Sequence, residues 1–287
     1  MLRTLVSTDL LATHLHSPSW AVIDCRYDLA NGDWGAEQHR AAHVPGAVYA
    51  SLSHDLAGEK TGRNGRHPLP SPEAMAATFG RWGIAPGVQV VCYDQGSGMY
   101  AARLWWMLRY MGHEDVAVLD GGFAKWTGED RPTRGGDQQR PAALFVGNPR
   151  AEMRQTVEDV EWRIVDGSTL LVDARAPERF EGRNETIDRV AGHIPGASNY
   201  FYGQNLAEDG TMRPADQLRT QFAGVLGDTP PSQATMYCGS GVTACQNLLA
   251  MEHAGLPGSK LYVGSWSEWS SDPGRPVATG PKPEPRT

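Results

Sequence analysis

The chain has 287 residues and a mass of 31.2 kDa, which at about 150 residues per domain predicts two domains. A hydrophobic fraction of 40% with 21% charged residues supplies apolar surface for real cores and excludes a wholly disordered chain. The net charge of −7 argues against a broad nucleic-acid-binding face but leaves room for a local basic pocket holding a small anion.

From the N-terminus, MLRTLVSTDLLATHLH carries one arginine, breaks at Asp9 and lacks a small-residue cleavage site. It reads as a short helix and not as a signal peptide. The first half then runs AVIDCR (21–26), AHVPGA (42–47), VVCYDQGSG (90–98) and LDGGFAKW (119–126). The second half repeats the order as LLVDAR (170–175), GHIPGA (192–197), ATMYCGSGV (234–242) and YVGSWSEW (262–269). Asp24 and Asp173 lie 149 residues apart, His43 and His193 150, Asp94 and Cys238 144, and Trp126 and Trp269 143. Four landmarks in register imply a duplicated domain, and a repeat this long is a domain rather than a solenoid unit of about 20–50 residues.

Each repeat reads as α/β. Aliphatic runs at Ala21–Asp24, Val88–Tyr93 and Val116–Leu119, and again at Leu170–Asp173, Ala234–Tyr237 and Lys260–Val263, predict buried parallel strands. Ser71-Pro72-Glu73 gives an N-cap, an N1 proline and a first-turn acid for a helix running towards Gly83. Helices are also predicted over Met99–Met111, Pro214–Leu226 and Thr243–Ala254, each followed by glycine. The fold expected is two tandem domains, each a mainly parallel sheet flanked by helices. The division is a first domain over 1–128, a Pro/Gly-rich linker over 129–154, a second domain over 155–275 and a loosely held tail over 276–287. Ala143–Val146 is expected as a strand leading into the second domain. The most apolar stretch, Leu104–Met111, holds Arg109 and falls far short of the about 20 residues of a membrane span. Cys25, Cys92, Cys238 and Cys245 make no disulfide framework, so a cytoplasmic location is expected.

The chemistry is expected at Cys238. It follows a strand and precedes a helix, with Gly239-Ser240-Gly241-Val242 between. Such a turn points successive backbone N–H groups into one hollow, and the helix N-terminus adds positive potential there. A thiolate in that hollow is stabilised as a nucleophile, and Ser240 or Thr243 can add a hydroxyl donor. The first repeat keeps the turn but carries Asp94 in place of the cysteine, so one copy is expected to be catalytic and the other inactive. His43 and His193 read as turn-fixing residues, the five tryptophans 105, 106, 126, 266 and 269 as packing, and Cys245 as a core thiol. No metal-ligand spacing and no nucleotide-binding motif is present, and no cofactor is expected.

CGSGVT (238–243), the paired HVPGA and HIPGA segments, and GGFAKW and GSWSEW closing the repeats resemble the tandem-domain rhodanese sulfurtransferases over about Leu5 to Trp269. The resemblance implies an active C-terminal domain and transfer of sulfur through a persulfide on Cys238. Related phosphatases carry a seven-residue loop and an arginine six positions after the cysteine. Here the loop has six residues and Ala244 stands at that position, which disfavours phosphatase chemistry. Gly239-Ser240, in place of the Arg-Lys of thiosulfate enzymes, points to 3-mercaptopyruvate as donor, with thiosulfate as the alternative. The backbone of Gly239, Gly241, Val242 and Thr243 is expected to bind substrate, and Ser240 to relay a proton. Arg179 matches an anion-binding arginine of the family, Arg189 is the candidate second arginine ahead of Arg183, and His67 matches a histidine facing the cysteine. Ser51 or Ser53 stands where those enzymes carry the aspartate of a Ser–His–Asp relay, with Asp55 nearby. The acceptor implied is a thiol such as thioredoxin, or cyanide. A sulfur carrier or redox-sensing module without turnover is the non-enzymatic alternative.

Overall fold

Short aliphatic runs bounded by glycine, proline and aspartate set the strands of two sheets, and in both every strand pairing is parallel. The computed structural model describes residues 1–167 and 169–281. The chain divides into two compact units, neither continuous in sequence. The first comprises Met1–Gly58, Pro70–Arg150 and Leu206–Met212, and the second Glu59–Leu69, Ala151–Asn205 and the chain from Arg213.

The first unit runs β1 (Leu5–Val6), α1 (Thr8–Ala12), β2 (Trp20–Asp24), α2 (Trp34–Ala41), β3 (Val48–Tyr49), α3 (Pro72–Arg81), β4 (Gln89–Tyr93), α4 (Met99–Tyr110), β5 (Val116–Leu119) and α5 (Gly122–Gly128). Its sheet has the order β1-β5-β4-β2-β3. β4 is buried along its whole length because helices cover both faces of a parallel sheet. Ser71 caps α3 by accepting a hydrogen bond from the Ala74 N–H, as its Ser-Pro-Glu start predicts. Val22, Val91, Tyr93, Ala117, Leu119 and Trp126 form part of one core cluster.

The stretch read from composition as a linker belongs to this first unit as far as Arg150. Arg134 forms an antiparallel bridge with His43, and the Asn148 N–H donates to the Met111 carbonyl. Ala143–Val146 is not a strand, contrary to the sequence reading. The Ala143 N–H donates to the Gly80 carbonyl at the end of α3, and Phe145 is buried edge-on against Phe79 while Leu144 and Val146 face solvent. Of this apolar run only Phe145 is received, and by a helix and not a sheet edge.

The second unit runs β6 (Arg154–Gln155), α6 (Val157–Asp166), β7 (Leu170–Asp173), α7 (Pro177–Phe180), β8 (Ser198–Asn199), α8 (Ala215–Leu226), β9 (Ala234–Tyr237), α9 (Thr243–His253), β10 (Lys260–Tyr262) and α10 (Ser265–Trp269). The sheet order, β6-β10-β9-β7-β8, reproduces that of the first unit. The two-residue edge strands carried no periodic signal in the sequence. Thr156 and Asp159 form a reciprocal capping box at the start of α6. Residues expected in a loose tail are held as far as Gly280. Pro276 accepts from Trp269 Nε1, Ala278 bridges His193, and the Gly280 N–H donates to the Glu181 carbonyl. The remainder of that tail, 282–287, lies outside the described residues.

Segment Glu59–Leu69 comes from the first repeat in sequence but lies in the second unit. The Arg66 N–H donates to Ser267 Oγ at 2.9 Å, which fixes the segment against α10. At the end of β7 the Asp173 carboxylate accepts from Arg175 Nε and Nη2 (2.7 Å to Oδ2), and both side chains are buried. Burial alone would lower the Arg175 pKa, but the adjoining Asp173 outweighs it and raises the value. Arg175 also donates to the Gly192 carbonyl at 2.7 Å, linking the strand end to the HIPGA turn. Removing one member of such a pair strands a buried charge. Asp173→Ala should therefore destabilise the second unit by about 3–5 kcal/mol, read as a lower urea midpoint.

Candidate active site

β9 delivers the chain into the Cys238–Val242 loop, and α9 begins directly after it. Gly241 has φ +72°, and a Cβ there would lie 2.3 Å from the Val263 carbonyl oxygen, so the turn requires glycine. The loop is fixed by the start of α10. The Cys238 N–H donates to Ser265 Oγ at 3.1 Å, which itself donates to the Tyr262 carbonyl at 2.9 Å. Ser265 sits at φ +56°, an uncommon left-handed conformation for a non-glycine residue. The Trp266 and Ser267 N–H groups donate to the Cys238 and Gly239 carbonyls, both at 2.9 Å.

The corresponding loop of the first unit reveals what this turn binds. Asp94 Oδ1 accepts from the N–H groups of Gly96 and Gly98, and Oδ2 from that of Tyr100, all at 2.9 Å. Burial pushes the Asp94 carboxyl up from its ordinary pKa, and these donors act against that rise. The strand–loop–helix turn is thus an anion receptor, filled in the first unit by its own side chain. The second loop is built differently in detail: its left-handed glycine, Gly241, is three positions after Cys238, whereas Gly98 is four after Asp94, and α9 begins after Val242 in a right-handed conformation.

Cys238 is 2% exposed. Ser240 Oγ lies 2.8 Å from Nδ1 of His67, and both residues are buried. This joins His67 to the loop although 173 positions separate the two residues. Asp55 has both carboxylate oxygens engaged within the first unit, accepting from the Ser51 N–H and from Arg81 Nη2. Ser53 Oγ is 2.5 Å from the Tyr27 hydroxyl. Cys245 is buried and donates to the Gly241 carbonyl. His43 and His193 each place Nδ1 on a backbone carbonyl, of His39 and Phe180 respectively.

Three of the arginines weighed from the sequence separate by their surroundings. Arg179, on α7, donates from Nε and Nη2 to Glu185 and from Nη2 to Asp188 Oδ2 at 3.0 Å. Glu185 also receives Arg175 Nη1 and the N–H groups of Ile187 and Asp188. Burial acts to raise the Glu185 pKa, yet Arg179 and these N–H donors prevail and hold it below the ordinary value. Arg189 is exposed and lines a cleft of about 590 Å³ together with Gly65, Arg66, Asp188 and Ser267. Arg183 pairs with Glu181 at the surface. One basic residue that the sequence reading passed over, Arg66, is bonded through Nη1 to Asp188 Oδ1 at 2.5 Å. Its signal was its position directly before His67.

A model of the Rhodanese-like domain family matches residues 7–129 and 156–272. A probable 3-mercaptopyruvate sulfurtransferase of Pseudomonas aeruginosa is 42% identical over 96% of this chain and 98% of its own length. A putative thiosulfate sulfurtransferase, SseB, of Mycobacterium tuberculosis is 38% identical over 91% of each. The crystal structure of SseA from Escherichia coli, described as a 3-mercaptopyruvate sulfotransferase, superimposes with a TM-score of 0.80 at 32% identity. That match covers 92% of this chain and 99% of the other. No helix among the described residues is long and apolar enough to cross a membrane.

The lowered Glu185 value has a pH consequence. The contribution of its ion pairs is fully present above the ordinary carboxylate value of 4.5 and is lost as the pH falls through the lower folded value. The stability difference between the wild type and Glu185→Gln should be largest at neutral pH and shrink below pH 4.5, as measured by urea unfolding across that range.

Proposed function

The chain belongs to the rhodanese-like family and is a sulfurtransferase, and on that premise we propose that it takes sulfur from 3-mercaptopyruvate through a persulfide on Cys238. The observation that carries this reading is the buried Ser240–His67 bond beside a cysteine seated in an anion-binding turn. The Cys238 thiolate attacks the donor thiol sulfur, the S–C bond breaks, and the bonding pair leaves on carbon as the enolate of pyruvate. The enolate takes a proton to give pyruvate, delivered in this reading by Ser240, which is hydrogen-bonded to His67. The N–H groups of the loop from Gly239 to Thr243 stabilise the persulfide sulfur. Arg179 binds the donor carboxylate. Arg189, being exposed, supplies charge from the rim of the neighbouring cleft.

A second thiol, such as that of thioredoxin, or cyanide then attacks the outer sulfur and releases the Cys238 thiolate. No organic cofactor or metal enters these steps. The first repeat, 1–128, serves as a non-catalytic domain because Asp94 occupies its own anion seat. All four cysteines are thiols, which suits a reducing cytoplasm. Thiosulfate is the alternative donor, favoured by the presence of a second guanidinium, that of Arg66, beside the loop.

The deciding experiment exposes reduced protein to 3-mercaptopyruvate or to thiosulfate, removes the excess, and determines intact mass with peptide mapping. The expected result is one added sulfur on Cys238 from 3-mercaptopyruvate, with none in Cys238→Ser. Loading from thiosulfate alone would reverse the donor. Loading without turnover on any small acceptor would favour a carrier, and no loading from either donor would overturn the persulfide reading. Ser240→Ala should lower kcat with 3-mercaptopyruvate by about 10²-fold or more while a neutral-pH urea midpoint stays near that of the wild type.

A further inference from the structure

Arg66 belongs to the second unit, where the Ser267 hydroxyl holds its backbone and Asp188 holds one end of its guanidinium. Its remaining nitrogens have no such acceptor. Nε is buried without a hydrogen-bond partner, and Nη2 reaches over the active loop. A Cβ built on Gly239 would stand 2.8 Å from Arg66 Nη2 and 3.5 Å from Arg179 Nη2. Two guanidinium groups therefore converge on the residue that follows the nucleophilic cysteine, and Asp188 holds both through separate oxygens, Oδ1 to Arg66 and Oδ2 to Arg179.

We propose that Arg66 is a donor-binding residue that, paired with Arg179, forms a two-guanidinium seat for the anionic group of the sulfur donor above Gly239. This deepens the sulfurtransferase reading and rests on it. The loop itself contains no cation, only Gly239 and Ser240 after the cysteine. Arg66 supplies the missing charge from a distant segment, and it uses the volume a side chain at position 239 would fill. A guanidinium presents five N–H donors in a rigid fork, so it can keep Asp188 on one edge and accept a carboxylate or sulfonate on another. Glycine at 239 is thus a specificity feature as well as a turn residue, because any larger residue would displace Nη2.

The test compares an anionic donor with a neutral one. Steady-state kcat and KM are measured for wild type, Arg66→Gln, Arg66→Lys and Gly239→Ala, with 3-mercaptopyruvate and with 1-mercaptopropan-2-one, which keeps the thiol and ketone but lacks the carboxylate. Loss of a charge-assisted contact predicts KM for 3-mercaptopyruvate raised about 10- to 100-fold in Arg66→Gln, with kcat changed little. Arg66→Lys should recover part of that loss. Gly239→Ala keeps the charge but crowds Nη2, and should raise the same KM selectively. With the neutral donor, kcat/KM should be the same in Arg66→Gln and Arg66→Lys as in the wild type. An equal loss with both donors would assign Arg66 a purely structural role, and no change with either would remove it from the site. A wild-type enzyme inactive with both donors would instead overturn the 3-mercaptopyruvate reading on which the comparison stands. Should Arg66→Gln fail to fold, Arg66→Lys carries the same comparison.

Discussion

The buried pair of Asp173 and Arg175 at the end of β7 is the fixed point from which the active site is built. Arg175 is bound on one side by Asp173 and reaches Glu185 on the other. Glu185 holds Arg179, Arg179 holds Asp188, and Asp188 holds Arg66. Guanidinium and carboxylate alternate along this path from a rigid strand end to the rim of the Cys238 loop. Each buried charge is balanced by a neighbour, which is the condition under which charges persist in a protein interior. A surface arginine would have to lose much side-chain freedom to meet a substrate, whereas Arg179 and Arg66 are already held.

The two units show one turn used in two ways. In the first, Asp94 places its carboxylate among the N–H groups of its own loop and satisfies them. In the second, the residue at that position is a thiol, buried at the start of a strand–loop–helix turn whose left-handed glycine is Gly241. Duplication preserved the strand–loop–helix placement, while the left-handed glycine of the loop moved from the fourth position after Asp94 to the third after Cys238. The side chain at the start of the loop changed from a carboxylate to a thiol. The HxPGA turns diverged less. His43 and His193 both bond a backbone carbonyl through Nδ1, and burial holds both below the ordinary histidine pKa, so both are built as neutral struts.

Much of this was legible in the sequence because it is local. The central strands read from their aliphatic runs, α3 from Ser71-Pro72, and the turn that carries Cys238 from its glycines between a strand and a helix. The edge strands β1, β3, β6 and β8 are two residues long, too short for periodicity to register. The stretch after Gly128 looked like a linker because it is polar and rich in proline and glycine. It is nevertheless tied to the first unit by single backbone bonds and by Phe145, contacts that composition does not encode.

The sequence by itself determined the duplication, the parallel α/β architecture, the loss of the thiol from one repeat and its retention at Cys238. These follow from spacing and from the conformational demands of individual residues. Only the tertiary structure decided which distant residues surround that thiol. It brought His67 onto Ser240 across 173 positions, separated Arg179 from the exposed Arg189 and Arg183, and set Arg66 above Gly239. The physical reason is that an arginine's role depends on the carboxylates that hold its fork. Asp188 and Glu185 become its neighbours only when the chain has folded.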